Sequence, residues 1–162
     1  MIMQAYKMLK DIVAATYERE VWRGLKSAPS GTEWSEDREV PFVAISGNGV
    51  YGADANDEAL VIGSADTPIC VTKTKFCVSR INVTVASVGD TFKLRLIWGT
   101  GTMADAITAC QTTEKCMVMP NYGAGAFYVH MPKVTKGTKI WAQARCSNDN
   151  ATISFLVGVT EY

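Results

Sequence analysis

The sequence has a single histidine and no Cys-x-x-Cys pair, which leaves little material for a metal centre. A serine or cysteine triad would have to use His130 as its base, and no Gly-x-Ser-x-Gly motif is present. The spacing of Gly47, Gly49 and Gly52 does not match a dinucleotide-binding pattern, and no lysine follows these glycines as it does in a P-loop. We therefore expect neither an enzyme nor a cofactor or metal, and interpret His130 as an ordinary strand residue.

The chain also lacks an excess of charge and any long apolar run. Its formal net charge is zero, which argues against a nucleic-acid binder that works by neutralising phosphates. No apolar stretch approaches the length of a membrane span, and the N-terminal residues do not resemble a signal peptide, because Lys7, Lys10 and Asp11 interrupt them. We expect a protein that is made in a reducing cytoplasm and contacts no membrane.

The zero net charge hides an uneven distribution. Residues 29–68 carry one basic and eight acidic residues, whereas residues 69–162 carry ten basic and five acidic ones. Such a segment is either a solvated acidic loop or a surface for complementary contact, within the fold or between copies.

The cysteines are odd in number, which does not suit a framework of disulfides. There are five, Cys70, Cys77, Cys110, Cys116 and Cys146. Free cysteines that are buried as small hydrophobic residues fit this count better. A bridge between Cys110 and Cys116 is the pairing that the spacing allows.

Residues 2–26 show apolar side chains at helical spacing and predict one amphipathic helix that Pro29 and Gly31 end. This helix would pack either on the sheet of its own chain or, as an arm, on a neighbouring subunit. Met1, Met3, Met8 and Trp22 would be the apolar groups that seek a partner.

Two strands at the end of the chain dominate the rest of the pattern. Residues 138–146 and 152–162 alternate between apolar and polar residues and are separated by a polar turn, which predicts an antiparallel hairpin. Ile153, Phe155, Val157 and Val159 share one face of the second strand. Residues 75–86 and 91–98 predict a second hairpin, whose first strand has Ile81, Val83 and Val85 on one face. In its second strand Phe92, Leu94, Leu96 and Trp98 face the core while Lys93 and Arg95 face out.

These elements predict an all-β fold. About eight strands with short turns are typical of an antiparallel β-sandwich, here jelly-roll-like, with the N-terminal helix added to it. We expect three parts: a helical arm over residues 1–28, an acidic and loop-rich segment over residues 29–68, and the sandwich over residues 69–162. Residues 29–162 would form one folded domain.

Two tryptophans outside the helix complete the candidate interface. Trp34 stands alone in the acidic segment, and Trp141 lies in phase with Lys139 and Gln143 on the polar side of its strand. Trp141 is therefore expected to be exposed, or to be covered by the N-terminal helix or by a partner. Aromatic residues that face solvent could alternatively stack on sugar rings, and the candidates are Trp98, Trp141, Tyr122, Tyr128 and Tyr162.

The last strands also carry a family resemblance. Val134–Arg145 (VTKGTKIWAQAR), Asn150–Tyr162 (NATISFLVGVTEY) and Thr91–Gly101 (TFKLRLIWGTG) resemble the C-terminal part of small virion proteins of tailed bacteriophages. The resemblance covers residues 69–162 and implies a β-sandwich or jelly-roll module present in several copies on a capsid or tail. It supplies no catalytic residues.

Two functions follow from the resemblance. The first is a virion structural protein, made in the host cytoplasm, that decorates or cements the capsid as a homotrimer bound to the major capsid protein. The second is a tail-fibre or receptor-binding module that recognises surface glycans.

Overall fold

The computed structural model describes residues 19–25, 34–35, 41–52, 60–63 and 74–162. Within these residues it contains eleven strands and one short helix. The strands are β1 Arg19–Leu25, β2 Trp34–Ser35, β3 Phe42–Asn48, β4 Leu60–Gly63, β5 Lys75–Ala86, β6 Asp90–Gly99, β7 Thr112–Met119, β8 Gly125–Tyr128, β9 Val134–Thr135, β10 Lys139–Cys146 and β11 Thr152–Glu161, and the helix is α1 Met103–Thr108. No helix in this part of the chain is both long enough and apolar enough to span a membrane.

The strands form one mixed sheet that approaches a barrel, which confirms the prediction of a mostly β fold. In one part of this sheet β11 lies between β5 and the strands β1 and β3, and β8 and β9 pair with β5. In the other part β10 lies between β6 and the strands β3 and β4, and β7 pairs with β6. The described pairings are antiparallel except that of β3 with β10.

Both predicted hairpins are wrong in their pairing, although their strands are present. β10 and β11 do not pair with each other, and neither do β5 and β6. Instead β5 pairs with β11 and β6 pairs with β10. The turn after β5 and the turn after β10 therefore each connect a strand in one part of the sheet to a strand in the other part. Alternation of apolar and polar residues predicts a strand and its buried face, but it does not specify which strand lies alongside.

β3 is the strand that separates the two members of the predicted C-terminal hairpin. Its first half pairs with β11 and its second half pairs with β10. Ser46 holds the junction, because its N–H donates to the carbonyl oxygen of Ala151 at 2.8 Å and its own carbonyl accepts from Asn150 at 3.0 Å. Asn150, in the turn after β10, has a φ of 56°, which is the left-handed conformation.

The predicted N-terminal helix is wrong over Arg19–Leu25, which forms β1 and pairs with β11 between Arg19 and Arg23. The spacing of Val21 and Leu25 fits a helix, but a strand alongside β11 satisfies the backbone of this segment through sheet hydrogen bonds. Tertiary pairing of this kind commonly overrides a weak local helix preference. Residues 2–18 of the predicted helix lie outside the described residues.

The core draws side chains from both sides of the sheet. Phe42, Phe76 and Phe155 lie within it together with Phe92 and Leu94, all 1% exposed or less. The predicted inward faces of β6 and β11 are confirmed, because Leu96, Ile153, Val157 and Val159 also belong to this cluster. Burying an aromatic or branched side chain of this size contributes about 1.5–3 kcal/mol, so the core is the main source of stability.

Two bulges in the β5–β11 pairing correct one detail of the predicted faces. The register shifts opposite Ser154/Phe155 and opposite Gly158/Val159. Val83 is therefore buried, while Val85 points outward and is 42% exposed. A single extra residue in one strand reverses the side-chain alternation beyond it, so residue parity alone predicted the wrong face for Val85.

Candidate functional site

The candidate interface residues are dispersed in the structure. Met1, Met3 and Met8 lie outside the described residues. Trp22 lies in β1 opposite Gly158, and Trp34 lies in β2 opposite Leu25. Trp141 lies in β10, where it is 9% exposed.

Trp141 is covered by α1. Its ring forms a small apolar cluster with Ile97 of β6 and Ala106 of α1, and Met103 and Ile107 pack against this cluster. Gly99 permits the close approach, because a Cβ there would lie 3.1 Å from the Cβ of Ala106. The sequence predicted that Trp141 is either exposed or covered. The cover comes from a helix of the same chain, which leaves little of the ring for a partner.

A capping box holds α1 in place over Trp141. The hydroxyl of Thr102 accepts from the backbone N–H of Asp105 at 3.1 Å and donates to the Asp105 carboxylate at 2.6 Å. The side-chain hydrogen bond from Thr102, followed by the bond from the Thr102 backbone N–H, lowers the pKa of Asp105. A charged carboxylate in the first turn also interacts favourably with the helix dipole.

Beyond Trp141, the same face of β6, β7 and β10 is polar; we call it the outer face, meaning the side chains of these strands that point away from the core. The register places Gln143 opposite Arg95, and Arg95 opposite Glu114. A guanidinium N–H of Arg95 donates to the side-chain carbonyl of Gln143, and Lys93 forms an ion pair with Glu114 at 3.4 Å. Contacts between charged and polar side chains therefore connect β10 to β6 and β6 to β7.

Tyr51, in the loop that follows β3, covers the centre of the outer face. The guanidinium carbon of Arg95 lies 3.8 Å from the centroid of the Tyr51 ring, and the Tyr51 hydroxyl donates to the carboxylate of Glu114. Desolvation under this ring lowers the pKa of Arg95, which nevertheless keeps its charge because a guanidinium starts from so high a value. Sequence reasoning missed Tyr51, because nothing in its local sequence indicates that it packs against β6.

Next to Tyr51 the outer face contains a small open hollow, which we call the basic hollow. Its volume is about 170 Å³, and its lining comes from Gly49, Thr91, Lys93, Arg145, Cys146 and Ser147. Lys93 and Arg145 stand directly opposite each other on β6 and β10. Two neighbouring cations and the Thr91 hydroxyl make this a place where an oxyanion can bind.

Asp90 stabilises the turn that forms one wall of the basic hollow. Its carboxylate accepts hydrogen bonds from the Ser147 hydroxyl, from the Asn148 side-chain amide at 2.8 Å and from the backbone N–H of Thr91 at 2.6 Å. The bond from Ser147 is the largest cause that lowers the pKa of Asp90, followed by the bond from Thr91. The hydrogen bonds that surround the Asp90 carboxylate therefore tie the start of β6 to the turn after β10.

The cysteines and the histidine of the described residues form no metal site. No group of three or more histidine, cysteine or acidic side chains is close enough there to hold a metal ion. Cys77, Cys110, Cys116 and Cys146 are free, so the structure does not contain the bridge that the spacing of Cys110 and Cys116 allows. Cys77 and Cys146 are buried as the sequence predicted, whereas Cys110 and Cys116 are exposed.

Comparison with known proteins adds no relative. No family model matches the chain, and neither the curated proteins nor the solved structures contain a significant match.

Proposed function

We propose that this chain is a structural protein of a tailed-bacteriophage virion, which decorates or cements the capsid through protein–protein contacts. In this proposal it is a jelly-roll-like sandwich that acts as a homotrimer and binds the major capsid protein. It is made in the host cytoplasm and functions in the virion, without catalytic activity, nucleic acid or membrane.

The observation that carries the proposal is where the family resemblance falls in the fold. Most of the residues that carry it lie in β6, β10 and β11, which are inner strands that line the core. Strands that follow each other in the chain, β5 and β6 or β10 and β11, do not pair, and β5–β11 and β6–β10 pair as nested partners. Nested pairing of this kind suits a double-sheet jelly roll. The resemblance thus involves the part of the chain that determines the architecture.

Exposed apolar side chains support protein contact as the activity. Val43 and Val85 flank Ser154 in the register of β3, β11 and β5, and they are 46% and 42% exposed. Val118 lies on β7, which ends the strand order and has a partner on one side among the described strands, and it is 79% exposed. Apolar groups grouped on a sheet surface, and a strand edge with free backbone groups, are features on which partner proteins bind.

The proposal is tested with the purified protein and with capsids assembled without it. Light scattering after size exclusion should give the mass of a trimer, and the protein should co-sediment with the capsids at saturable stoichiometry. A particle map should place the chain on the capsid surface. A chain that stays monomeric and does not bind such capsids would contradict the proposal.

Glycan recognition is the second candidate function, and two exposed aromatic side chains favour it. Tyr122 is 75% exposed and Tyr128 is 63% exposed, with the guanidinium of Arg80 stacked 4.6 Å from the Tyr128 ring centroid. Trp141 contributes nothing to such a platform, because α1 covers it. Binding on a glycan panel that is lost with Tyr122→Ala and kept with Trp141→Phe would favour this function. A panel without any binding would count against it.

A further inference from the structure

We propose that the basic hollow binds a carboxylate from the acidic segment, residues 29–68, of a second copy of the chain. This inference rests on the proposed self-association and names the contact that produces it. It assigns the hollow a ligand class, the carboxylate of an aspartate or glutamate side chain.

Two cations of the basic hollow are placed unfavourably. Lys93 and Arg145 occupy directly opposite positions on neighbouring strands and point to the same face. Like charges at such positions destabilise a sheet. An anion bound between the two side chains would offset this repulsion, because it attracts both cations. Binding of an anion therefore gives a reason for placing Lys93 and Arg145 opposite each other.

The carboxylates near the hollow do not neutralise both cations. Glu114 forms an ion pair with Lys93 at 3.4 Å and also accepts from the Tyr51 hydroxyl. Asp90 is engaged by the turn after β10 and forms no ion pair with either cation within the described residues. Arg145 has no carboxylate partner in that part of the chain, and its side chain is exposed. The hollow thus presents an unpaired guanidinium beside a partly compensated ammonium group.

The size of the hollow suits a carboxylate. The hollow is open to solvent and has a volume of about 170 Å³. A carboxylate at the end of a side chain fits in this space together with a few waters. Its oxygens can accept from Arg145 in the two-pronged geometry that guanidinium groups favour, and also from Lys93 and the Thr91 hydroxyl.

The source of the carboxylate follows from the charge distribution. Residues 29–68 carry eight acidic residues and one basic residue, while the whole chain is neutral, so each copy can supply the charge that another copy lacks. A contact between the acidic segment of one copy and the hollow of the next can repeat from copy to copy and close into a ring such as a trimer.

The test uses the full-length protein and removes the two cations. Arg145→Gln and the double variant Lys93→Gln with Arg145→Gln are compared with Lys136→Gln, which removes one exposed charge outside the hollow. Sedimentation at low and high salt gives the association constant. We expect Arg145→Gln to weaken association at least tenfold at low salt, the double variant to weaken it further, and Lys136→Gln to change it less than twofold.

A second measurement separates this inference from the proposed function. A synthetic peptide of residues 29–40 and inorganic phosphate are each titrated into wild type and Arg145→Gln. Saturable peptide binding that Arg145→Gln weakens at least tenfold supports the inference, even if the protein self-associates without binding capsids and the virion proposal fails. A monomeric wild type would overturn the inference, because no second copy then fills the hollow. A wild-type trimer that both hollow variants leave unchanged would overturn the inference and leave the virion proposal standing. Equal binding of the peptide to both proteins, or binding of phosphate without the peptide, would also overturn it.

Discussion

The guanidinium of Arg95 lies beneath the ring of Tyr51, with 3.8 Å between the guanidinium carbon and the ring centroid. This contact fastens the loop after β3 to the outer face of β6, and Gln143 and Glu114 complete it from the neighbouring strands. Because the same loop contributes Gly49 to the basic hollow, its position also determines the shape of the hollow.

Truncation of Tyr51 should separate the two interactions of this residue. Tyr51→Phe keeps the ring over Arg95 and loses the bond to Glu114, which should cost about 0.5–1 kcal/mol. Tyr51→Ala also loses the cation–π contact and should cost about 1–2 kcal/mol. Urea unfolding gives both values. Tyr122→Phe, at a tyrosine that is 75% exposed, serves as the control and should change stability little. Equal stability of Tyr51→Ala and wild type would contradict this role.

Gly52 is the residue that lets this loop return to the sheet. Its N–H donates to the carbonyl oxygen of Ala144 at 2.8 Å, and a Cβ at this position would overlap the carbonyl oxygen of Ile45. Since backbone atoms cannot move aside as a side chain can, Gly52→Ala should cost more than about 2 kcal/mol and displace Tyr51.

Gly49→Ala is the matched comparison for Gly52→Ala. Gly49 has a φ of 66°, but nothing lies within 4 Å of a Cβ built there. This variant should therefore carry only the strain of a left-handed backbone, about 1–2 kcal/mol. Thermal unfolding distinguishes the two. If Gly49→Ala proves the more harmful change, then backbone conformation and not packing controls this loop.

The sequence pattern predicted which residues form strands much better than it predicted which strands pair with each other. Alternation in β6 and β11 correctly indicated which side chains enter the core, because burial on one face imposes a period of two. Whether β10 and β11 form a hairpin depends instead on β3, whose Ser46 bonds to Ala151 and Asn150 from far away in the sequence. No local pattern contains that information, so both hairpins were predicted with the wrong partners.

The candidate site was harder to predict than the core. Arg95 and Lys93 were correctly expected to point outward, but the cover over Arg95 comes from Tyr51, whose own segment looked like a glycine-rich turn. Trp141 was recognised as an aromatic residue on a polar face that needs a cover. Its cover, α1, depends on the missing side chain of Gly99 and on the capping box of Thr102. Contacts between distant segments determine these features, and composition and periodicity do not reveal them.

Trp141 should behave as a residue of the fold. Because Ile97 and Ala106 enclose its ring, Trp141→Ala should cost about 3 kcal/mol or more and release α1, while Trp141→Phe should cost about half as much. Urea unfolding and near-ultraviolet circular dichroism measure the two effects. Val118→Ala, at a valine that is 79% exposed on β7, should stay within about 0.5 kcal/mol of wild type. A Trp141→Ala protein of wild-type stability would return Trp141 to the list of partner-binding residues.

Asp90 should make stability depend on pH in the acidic range. Hydrogen bonds from Ser147 and Thr91 lower its pKa in the folded protein, so the charged carboxylate favours folding. This contribution is fully present above the unfolded-state pKa of about 4 and is lost as the pH falls through the lower folded-state pKa.

The stability difference between wild type and Asp90→Asn tests this dependence. Asp90→Asn should be less stable than wild type at pH 7, and the difference should stay constant down to about pH 5 and shrink below about pH 4. Urea unfolding at a series of pH values measures it. Asp149→Asn removes a carboxylate that accepts one backbone bond, from Asn150 at 3.0 Å, in the turn that Asp90 stabilises. It should therefore destabilise the protein less at neutral pH. A difference between wild type and Asp90→Asn that grows as the pH falls would show that the neutral carboxyl group, and not the carboxylate, holds the turn.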